Sequence, residues 1–521
     1  MVLKALLPKD IESLLKIGSA LMAERDINTL LSLILRKSRK ILGADAGSLF
    51  LAQFDATGTP IHLQLKLSQN DSMEKRLEEI SLPISKESLA GYVASTGEIL
   101  MIDDVYDIDA NKPYTFLGRI DKKTGYRSRS LLAVPMLDHK NVLIGVIQLW
   151  NKKKNPKHRL SIDNMDKEVV SFDQADCFLL QSLASQAAIA VENAKLYQDI
   201  ETLFEGFIRA SVMAIESRDP TTSGHSERVA VLTVALAEAA DENEGGIFRN
   251  IRFSKDELKE IQYASLLHDF GKIGVRESVL VKAKKLYPLE LEMIQDRLDI
   301  ICQNFEIEAL RKKVAHLSKK GQQGDAAWLE IELCLQKQKD HVKHMFDMIS
   351  HSNEPTLINE EVTKELKKLL HVEGLRPGGK TFQLINQDQL VRLSVPKGTL
   401  STEERREIEE HVSHTYEFLN RIPWTAELRR IPDIAHAHHE KLNGTGYPRK
   451  ARVDGIPIAS QMMAVTDIYD ALVARDRPYK RAIPNSRAFE ILMTEAAAGM
   501  LNKDIVDLFI QKKIYQRTNP A

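Results

Sequence analysis

Hydrophobic and polar positions follow three rhythms along this chain. Over residues 11–42, Leu14, Leu15, Ile17, Leu21, Leu30, Leu33 and Ile34 recur near helical spacing, which predicts helix. Short apolar runs follow at 46–54, 62–67, 99–103, 130–137 and 142–150. The alternation in HLQLKL, the β-branched residues and the turn DHKN between the last two runs predict an antiparallel sheet. From Asp173 to about Ser217 the pattern becomes one long helix without internal proline. There Leu180, Leu183, Ala187, Ala190, Ala194 and Tyr197 form a seam that either pairs with a parallel copy or packs on its own domain.

The remainder reads as helical except for one block, 283–395, which has the character of an insertion. Two charged amphipathic helices, 305–320 and 325–349, joined by KKGQQGD, predict an antiparallel hairpin. In it Leu310, Val314 and Leu317 face Trp328, Ile331 and Leu335. Further on, TFQLI and LVRLSV flank NQDQ and read as a small β-hairpin.

Composition narrows the functional classes. At 521 residues and 43% hydrophobic the chain is multidomain and able to build real cores. Lys+Arg 72 against Asp+Glu 73 argues against a protein that coats DNA or RNA, so any nucleotide partner is small. Cys177, Cys302 and Cys334 lie far apart, which argues against disulfides and thiolate zinc. The N-terminus makes no convincing signal peptide, and no apolar run approaches the roughly 18–20 residues of a membrane span. The expectation is a soluble, cytoplasmic protein.

The histidines carry more information. His268-Asp269-Phe270-Gly271-Lys272 follows the apolar run YASLL. Adjacent His and Asp can ligate one metal through imidazole and bridge to a second through carboxylate, while Lys272 offers a cation to a phosphate. His438 and His439 open HHEKLNGTGYP, and paired imidazoles pointing different ways can serve neighbouring metals.

These segments, with IGVRESVLVK and DIYDALVARDRPYK, resemble the HD-GYP family of bacterial cyclic di-GMP phosphodiesterases over roughly 200–282 and 396–515. The resemblance implies an all-α metal hydrolase holding two or three divalent ions, iron or manganese, above which the dinucleotide lies. It implies His225, His268, Asp269 and Asp467 for the first metal, and Asp269, His411 and His438 for the second. Glu216 and His439 would complete a third. His414, one helical turn beyond His411, is the alternative to it, and His436 reads as a helix-face residue. Lys272, Gly446, Tyr447, Pro448, Arg477 and Lys480 would meet the substrate, with Asp269 and Lys272 catalytic and pGpG and GMP the products. Thr221, Thr415, Asn443 and Gln461 depart from the usual pattern without removing a ligand. His341, His344 and His351, in the inserted block, read as surface residues.

The first third resembles a GAF domain, an α/β fold in which helices flank an antiparallel sheet with a small-molecule pocket. The resemblance rests on ADAGSLFL, LPISKESLAGYVASTGEILMIDDVY, TGYRSRSLLAVPM and VLIGVIQLWNKK. Asn151, Lys152, Phe172 and Asp176 resemble the NKFDE pattern of cyclic-nucleotide-binding GAF domains, with Cys177 in place of its Glu. The resulting plan is a GAF domain at 1–178, a linker and dimerisation helix at 179–215, and a hydrolase at 216–282 and 396–521 interrupted by an insertion at 283–395. Function is expected to be GAF-regulated hydrolysis of cyclic di-GMP by a homodimer. The alternatives are a non-catalytic dinucleotide receptor that holds a partner, or an enzyme for a mixed cyclic dinucleotide.

Overall fold

The computed structural model describes residues 16–22, 24, 26–55, 57–73, 80–116, 118, 121–122, 125–218, 223–319, 323–474 and 482–518. It forms two compact units, 1–205 and 206–521.

In the first, α1 (Ile27–Leu42) is started by the Asp26 carboxylate, which accepts the Thr29 amide, and stopped by left-handed Gly43. The sheet comprises β1 (Ala44–Phe54), β2 (Pro60–Asn70), β3 (Ser81–Pro83), β4 (Leu100–Ile102), β5 (Leu131–Leu137) and β6 (Leu143–Lys153). Its order is β3-β2-β1-β6-β5-β4, every pairing is antiparallel, and β7 (Val169–Val170) joins the end of β6. The expected antiparallel sheet is therefore present. Strand alternation divides the core in two. Leu49, Leu132, Val134, Ile147 and Leu149 face α1 and the long α3 (Gln174–Glu216). Phe50, Leu131, Ala133 and Val146 face α2 (Leu89–Thr96) and a cavity on the other side.

One expectation changes here. Leu180, Leu183, Ala187, Ala190 and Ala194 are buried in the domain's own core against α1 and the sheet, and of that seam only Tyr197 is exposed. The small side chains let α3 lie close to α1, so this stretch is spent within one chain.

The second unit packs α4 (His225–Asp241), α5 (Lys255–Leu267), α11 (His411–Leu419), α12 (Ile431–His436) and α13 (Ile458–Val473) around one site. The last is buried nearly all round. Between α5 and α11 lie α6 (Pro288–Ser318), α7 (Ala326–Asn353), α8 (Glu360–Lys368), β8 (Glu373–Leu375), β9 (Thr381–Gln383), α9 (Gln387–Leu393) and α10 (Thr402–Glu409); α14 (Asn485–Ala497) and α15 (Lys503–Gln511) close the chain. The inserted block has a core of its own, with Ile294, Leu298, Val342, Ile349, Leu366 and Leu390 among its members.

The inserted block also corrects three details. Helix α6 begins at Pro288 rather than near 305, because proline at N1 is pre-set for a helix start. The β-hairpin is not formed by LVRLSV: β9 pairs with β8, while Asn386 and Gln389 form a capping box that turns LVRL into α9. Finally, α6 and α7 do form a hairpin, but through Phe305 and Ala309 against Ile331 and Leu335. Leu310, Val314 and Leu317 point away from it and are exposed.

Candidate metal centre

Five chain segments bring seven of the expected donors together. His225 is the first residue of α4, His268 and Asp269 follow the end of α5, and His411 opens α11. His438 and His439 follow α12, and Asp467 projects from the middle of α13. His225, His268 and Asp467 form one group of mutually close donor atoms; His268, Asp269 and His438 form a second, and His411, His438 and His439 a third. Asp269 bridges them, with its oxygens 3.3 Å from His411 Nε2, 3.4 Å from His268 Nε2 and 3.9 Å from His225 Nε2. Asp467 lies 3.1 Å from His225 Nε2 and 3.8 Å from His439 Nδ1.

The ring orientations are fixed from behind. Nδ1 of His268, His411 and His438 each meets the carbonyl three residues earlier, at 2.7, 2.5 and 2.6 Å. A carbonyl only accepts, so Nδ1 donates and the Nε2 lone pair is left facing the site. Nε2 of all three is buried without a hydrogen-bond partner. An orphaned buried acceptor costs about 1–3 kcal/mol, and three converging on one carboxylate fit a cation site. No cysteine takes part, so the donors are those that iron, manganese and related cations prefer.

Charge agrees with this arrangement. Burial opposes ionisation of Asp269, but Lys272 and His268 overcome it and hold the carboxyl well below the usual range. Asp467 is likewise held low, against burial, chiefly by His225. Burial and neighbouring imidazoles push His438 well below its ordinary value, and burial drives His439 down to about 3. Two imidazoles move the other way: Asp467 and Asp470 outweigh burial and raise His225 to about 9, and Asp269 and Asp467 outweigh burial to raise His268.

A close packing contact unites the HD turn with α11. A side chain at Gly271 would place Cβ 1.9 Å from the His411 carbonyl oxygen and 2.5 Å from the Thr415 nitrogen. Thr415 Oγ1 accepts the Gly271 amide at 2.8 Å and donates to the His268 carbonyl at 3.0 Å. The threonine at this position thus pins the turn. His414 faces Gly274 and belongs to none of the donor groups, whereas His411 does. His436 stacks on Tyr416 with ring centroids 4.2 Å apart.

Glu216 is placed differently from the other acids. Its oxygens accept the amides of Gly224 and Ser226 at 2.7 and 3.0 Å, capping α4, while the residue lines the same recess as Asp269 and Lys272. Lys272 Nζ lies 2.9 Å from Asp269. Gly446 and Tyr447 fold back on His439: the Tyr447 amide donates to its carbonyl at 3.3 Å, and the two rings are 4.9 Å apart. Pro448 follows through a cis peptide bond. Arg477, Lys480 and Thr221 lie outside the described residues.

Three contributors escaped the sequence reading. Asp470, buried, takes His225 Nδ1 at 2.8 Å and Arg228 Nε and Nη2 at 2.7 and 3.0 Å. Its signal was the second acid of DIYDAL, three residues after Asp467 and on the same helix face. Glu440 accepts the amides of Arg449 and Ala451, which closes the loop after His439. Glu404 takes Lys282 through both oxygens at 2.7 and 2.8 Å, and Tyr287 Oη at 2.7 Å, tying the root of the insertion to the helix that precedes His411. Asn443 uses its carbonyl oxygen to accept from the Thr445 amide and hydroxyl, which an aspartate would also do.

In the first unit, the cavity between α2 and the sheet measures about 430 Å³. Phe50, Leu65 and Trp150 supply apolar walls, and Ser68, Asp121 and Gln148 polar ones. Asn151, Lys152, Phe172 and Asp176 stand outside it. Lys152 pairs with Asp176 across β6 and the start of α3, Phe172 is in the core, and Asn151 braces residues 126–129. The motif supports the fold around the cavity.

Residues 26–191 match the GAF domain family, and residues 222–345 and 388–503 each match an HD domain family. A 95-residue segment is 37% identical to 3'3'-cGAMP-specific phosphodiesterase 3 of Vibrio cholerae, covering 18% of this chain and 20% of that protein. Another of 121 residues is 34% identical to a cyclic di-GMP phosphodiesterase of Thermotoga maritima, covering 23% and 32%. A third, of 185 residues, is 31% identical to a cGMP-specific 3',5'-cyclic phosphodiesterase of Drosophila virilis, covering 34% and 18%. The chain thus spans between a fifth and a third of the lengths of these relatives, or slightly less.

Proposed function

We infer that this chain, a GAF–HD protein of the HD-GYP-like kind, is a metal-dependent phosphodiesterase that hydrolyses cyclic dinucleotides. The observation that carries the reading is the set of orphaned, buried Nε2 atoms of His268, His411 and His438 around ionised Asp269. His225, His268 and Asp467 would hold one cation, and Asp269, His411 and His438 another, with His439 beside them. Glu216 would reach a third only by leaving its helix cap. Iron or manganese suits these donors. When bound, such cations supply Lewis acidity to a phosphodiester oxygen and acidify a water.

The protein's own residues do the rest. Nδ1–H bonds to carbonyls hold three imidazoles with Nε2 turned into the site. Asp470 fixes the His225 ring through Nδ1, and its charge offsets the cation that Arg228 brings. Lys272 balances Asp269 and stands where a phosphate could take its ammonium in turn. The Gly446–Pro448 loop walls the site beside His439. Cyclic di-GMP, cut to pGpG and then GMP, is the proposed substrate, in keeping with the Thermotoga relative; a mixed guanine-adenine dinucleotide is the competitor, in keeping with the Vibrio one. The GAF cavity would receive a small regulatory ligand, a cyclic nucleotide being the first candidate, and the protein would work in the cytoplasm as a homodimer.

The test is turnover by anaerobically purified protein loaded with iron or manganese, both dinucleotides being followed by chromatography with Asp269→Ala as control. Cleavage that Asp269→Ala abolishes is expected. Tight dinucleotide binding without turnover would replace the enzyme by the receptor reading. Thermal shifts with cAMP and cGMP test the GAF ligand, and no shift with either would remove that assignment.

A further inference from the structure

The outward face of α6 has the composition of a dimer seam. Ile307, Leu310, Val314 and Leu317 are 48%, 60%, 63% and 46% exposed, although all are large and apolar. They recur at steps of three, four and three, the a and d positions of a heptad. They lie on the side of α6 turned away from its hairpin contact with α7, where Ile307, Leu310 and Val314 line a shallow groove with Arg311. The same frame runs back through Ile300 at a and exposed Leu289 at d; Asp296 and Gln303 are polar at the two d positions between. The strongest stretch is therefore residues 307–317.

We propose that this face pairs with α6 of a second copy of the chain as a short, parallel, in-register two-stranded coiled coil. Two properties select that occupant. Branched Ile300, Ile307 and Val314 at a with Leu310 and Leu317 at d is the arrangement that favours two parallel strands. Charge selects the direction. In parallel register Glu306 at g meets Arg311 of the partner subunit at e, twice by symmetry. An antiparallel pairing centred on residue 312 would instead set the two Arg311 side chains, at e, against each other on one flank and the two Lys313 side chains, at g, on the other. Glu306 already holds Lys339 of α7 at 2.5 Å, but both side chains are part-exposed, and the second carboxylate oxygen can serve the partner.

The experiment uses the full-length chain with Leu310→Cys in a Cys334→Ser background, because Cys334 is exposed on the neighbouring helix. Mild oxidation at micromolar concentration, with the linkage mapped by mass spectrometry, is expected to join residue 310 to residue 310 of the second copy. It should do so far faster than Glu308→Cys, on another face of α6, forms its own dimer. Glu306→Arg should weaken the pairing about five- to ten-fold by setting like charges together, and Glu306→Arg with Arg311→Glu should restore it. Restoration separates the intermolecular pair from the Lys339 contact, which the double variant does not rebuild. A 310-to-310 linkage no faster than the Glu308→Cys control overturns the proposal. So does preferential linkage of Leu310→Cys to Val314→Cys of a mixed sample, the antiparallel outcome, or indifference to the charge exchange.

Discussion

Gly271→Ala isolates the physical basis of the proposed metal centre without touching a proposed ligand. The new methyl would lie 1.9 Å from the His411 carbonyl oxygen, whereas a carbon rests about 3.3 Å from such an oxygen. Helix α11 and the HD turn must separate by roughly 1.4 Å, and neither obstacle is the mobile tip of a side chain. That separation would stretch the Gly271–Thr415 and Thr415–His268 hydrogen bonds, at about 1 kcal/mol each, and add overpacking strain of about 1–3 kcal/mol. A total of about 3–5 kcal/mol follows. The same movement draws His411 Nε2 away from Asp269, now 3.3 Å distant, and an error of 1 Å in such a site can cost about 100-fold in rate. Urea denaturation and metal content per chain measure the two effects separately. A variant within about 0.5 kcal/mol of wild type and carrying its full metal complement would refute the close-approach argument.

Asp470→Asn should weaken manganese affinity about 10- to 100-fold, measured calorimetrically, because His225 Nδ1 loses its anionic partner; unchanged affinity would deny Asp470 its positioning role. Burial works against Glu404, but Lys282, the Ser401 amide and Tyr287 hold its carboxyl below the ordinary value of 4.5. Its contribution to stability is thus present above the unfolded value and lost as pH falls through the folded one. Acid unfolding near and below pH 4.5 should be steeper for wild type than for Glu404→Gln, and parallel curves would contradict this. Asp176→Ala removes the nearer of the two carboxylates that Lys152 pairs with and an acceptor of the Asp173 amide, and should cost about 2 kcal/mol in urea melts of the GAF transition. Ligand binding in the cavity should survive, since neither side chain lines it.

Much of the site was legible before folding because its chemistry is local in sequence. An imidazole beside a carboxylate, or two imidazoles in succession, must present donors to a common neighbourhood wherever the backbone places them. His411 over His414 was harder, since one turn of helix separates them and only packing against Gly271 decides which looks inward. Asp470 went unread because a second acid on a helix is usually a surface acid. Its meaning comes from Arg228 and His225, about 245 residues earlier in the chain.

The periodicities determined the elements and left their partners open. Spacing of three and four residues placed apolar side chains along one side of α3 and of α6, and it did so correctly for both. Yet the α3 seam is consumed by α1 and the sheet, while the stripe expected inside the hairpin of α6 and α7 faces outward. A heptad states that a helix has an apolar face; which surface covers it depends on the rotation of the helix about its axis, and that is set by every contact at once. Likewise the strand-like run LVRLSV became α9 because two capping side chains could satisfy its first amides. Residue types and their order determined the donors, the sheet and the helices; the tertiary structure alone decided which faces are buried, which imidazoles converge, and which apolar stripes stay exposed.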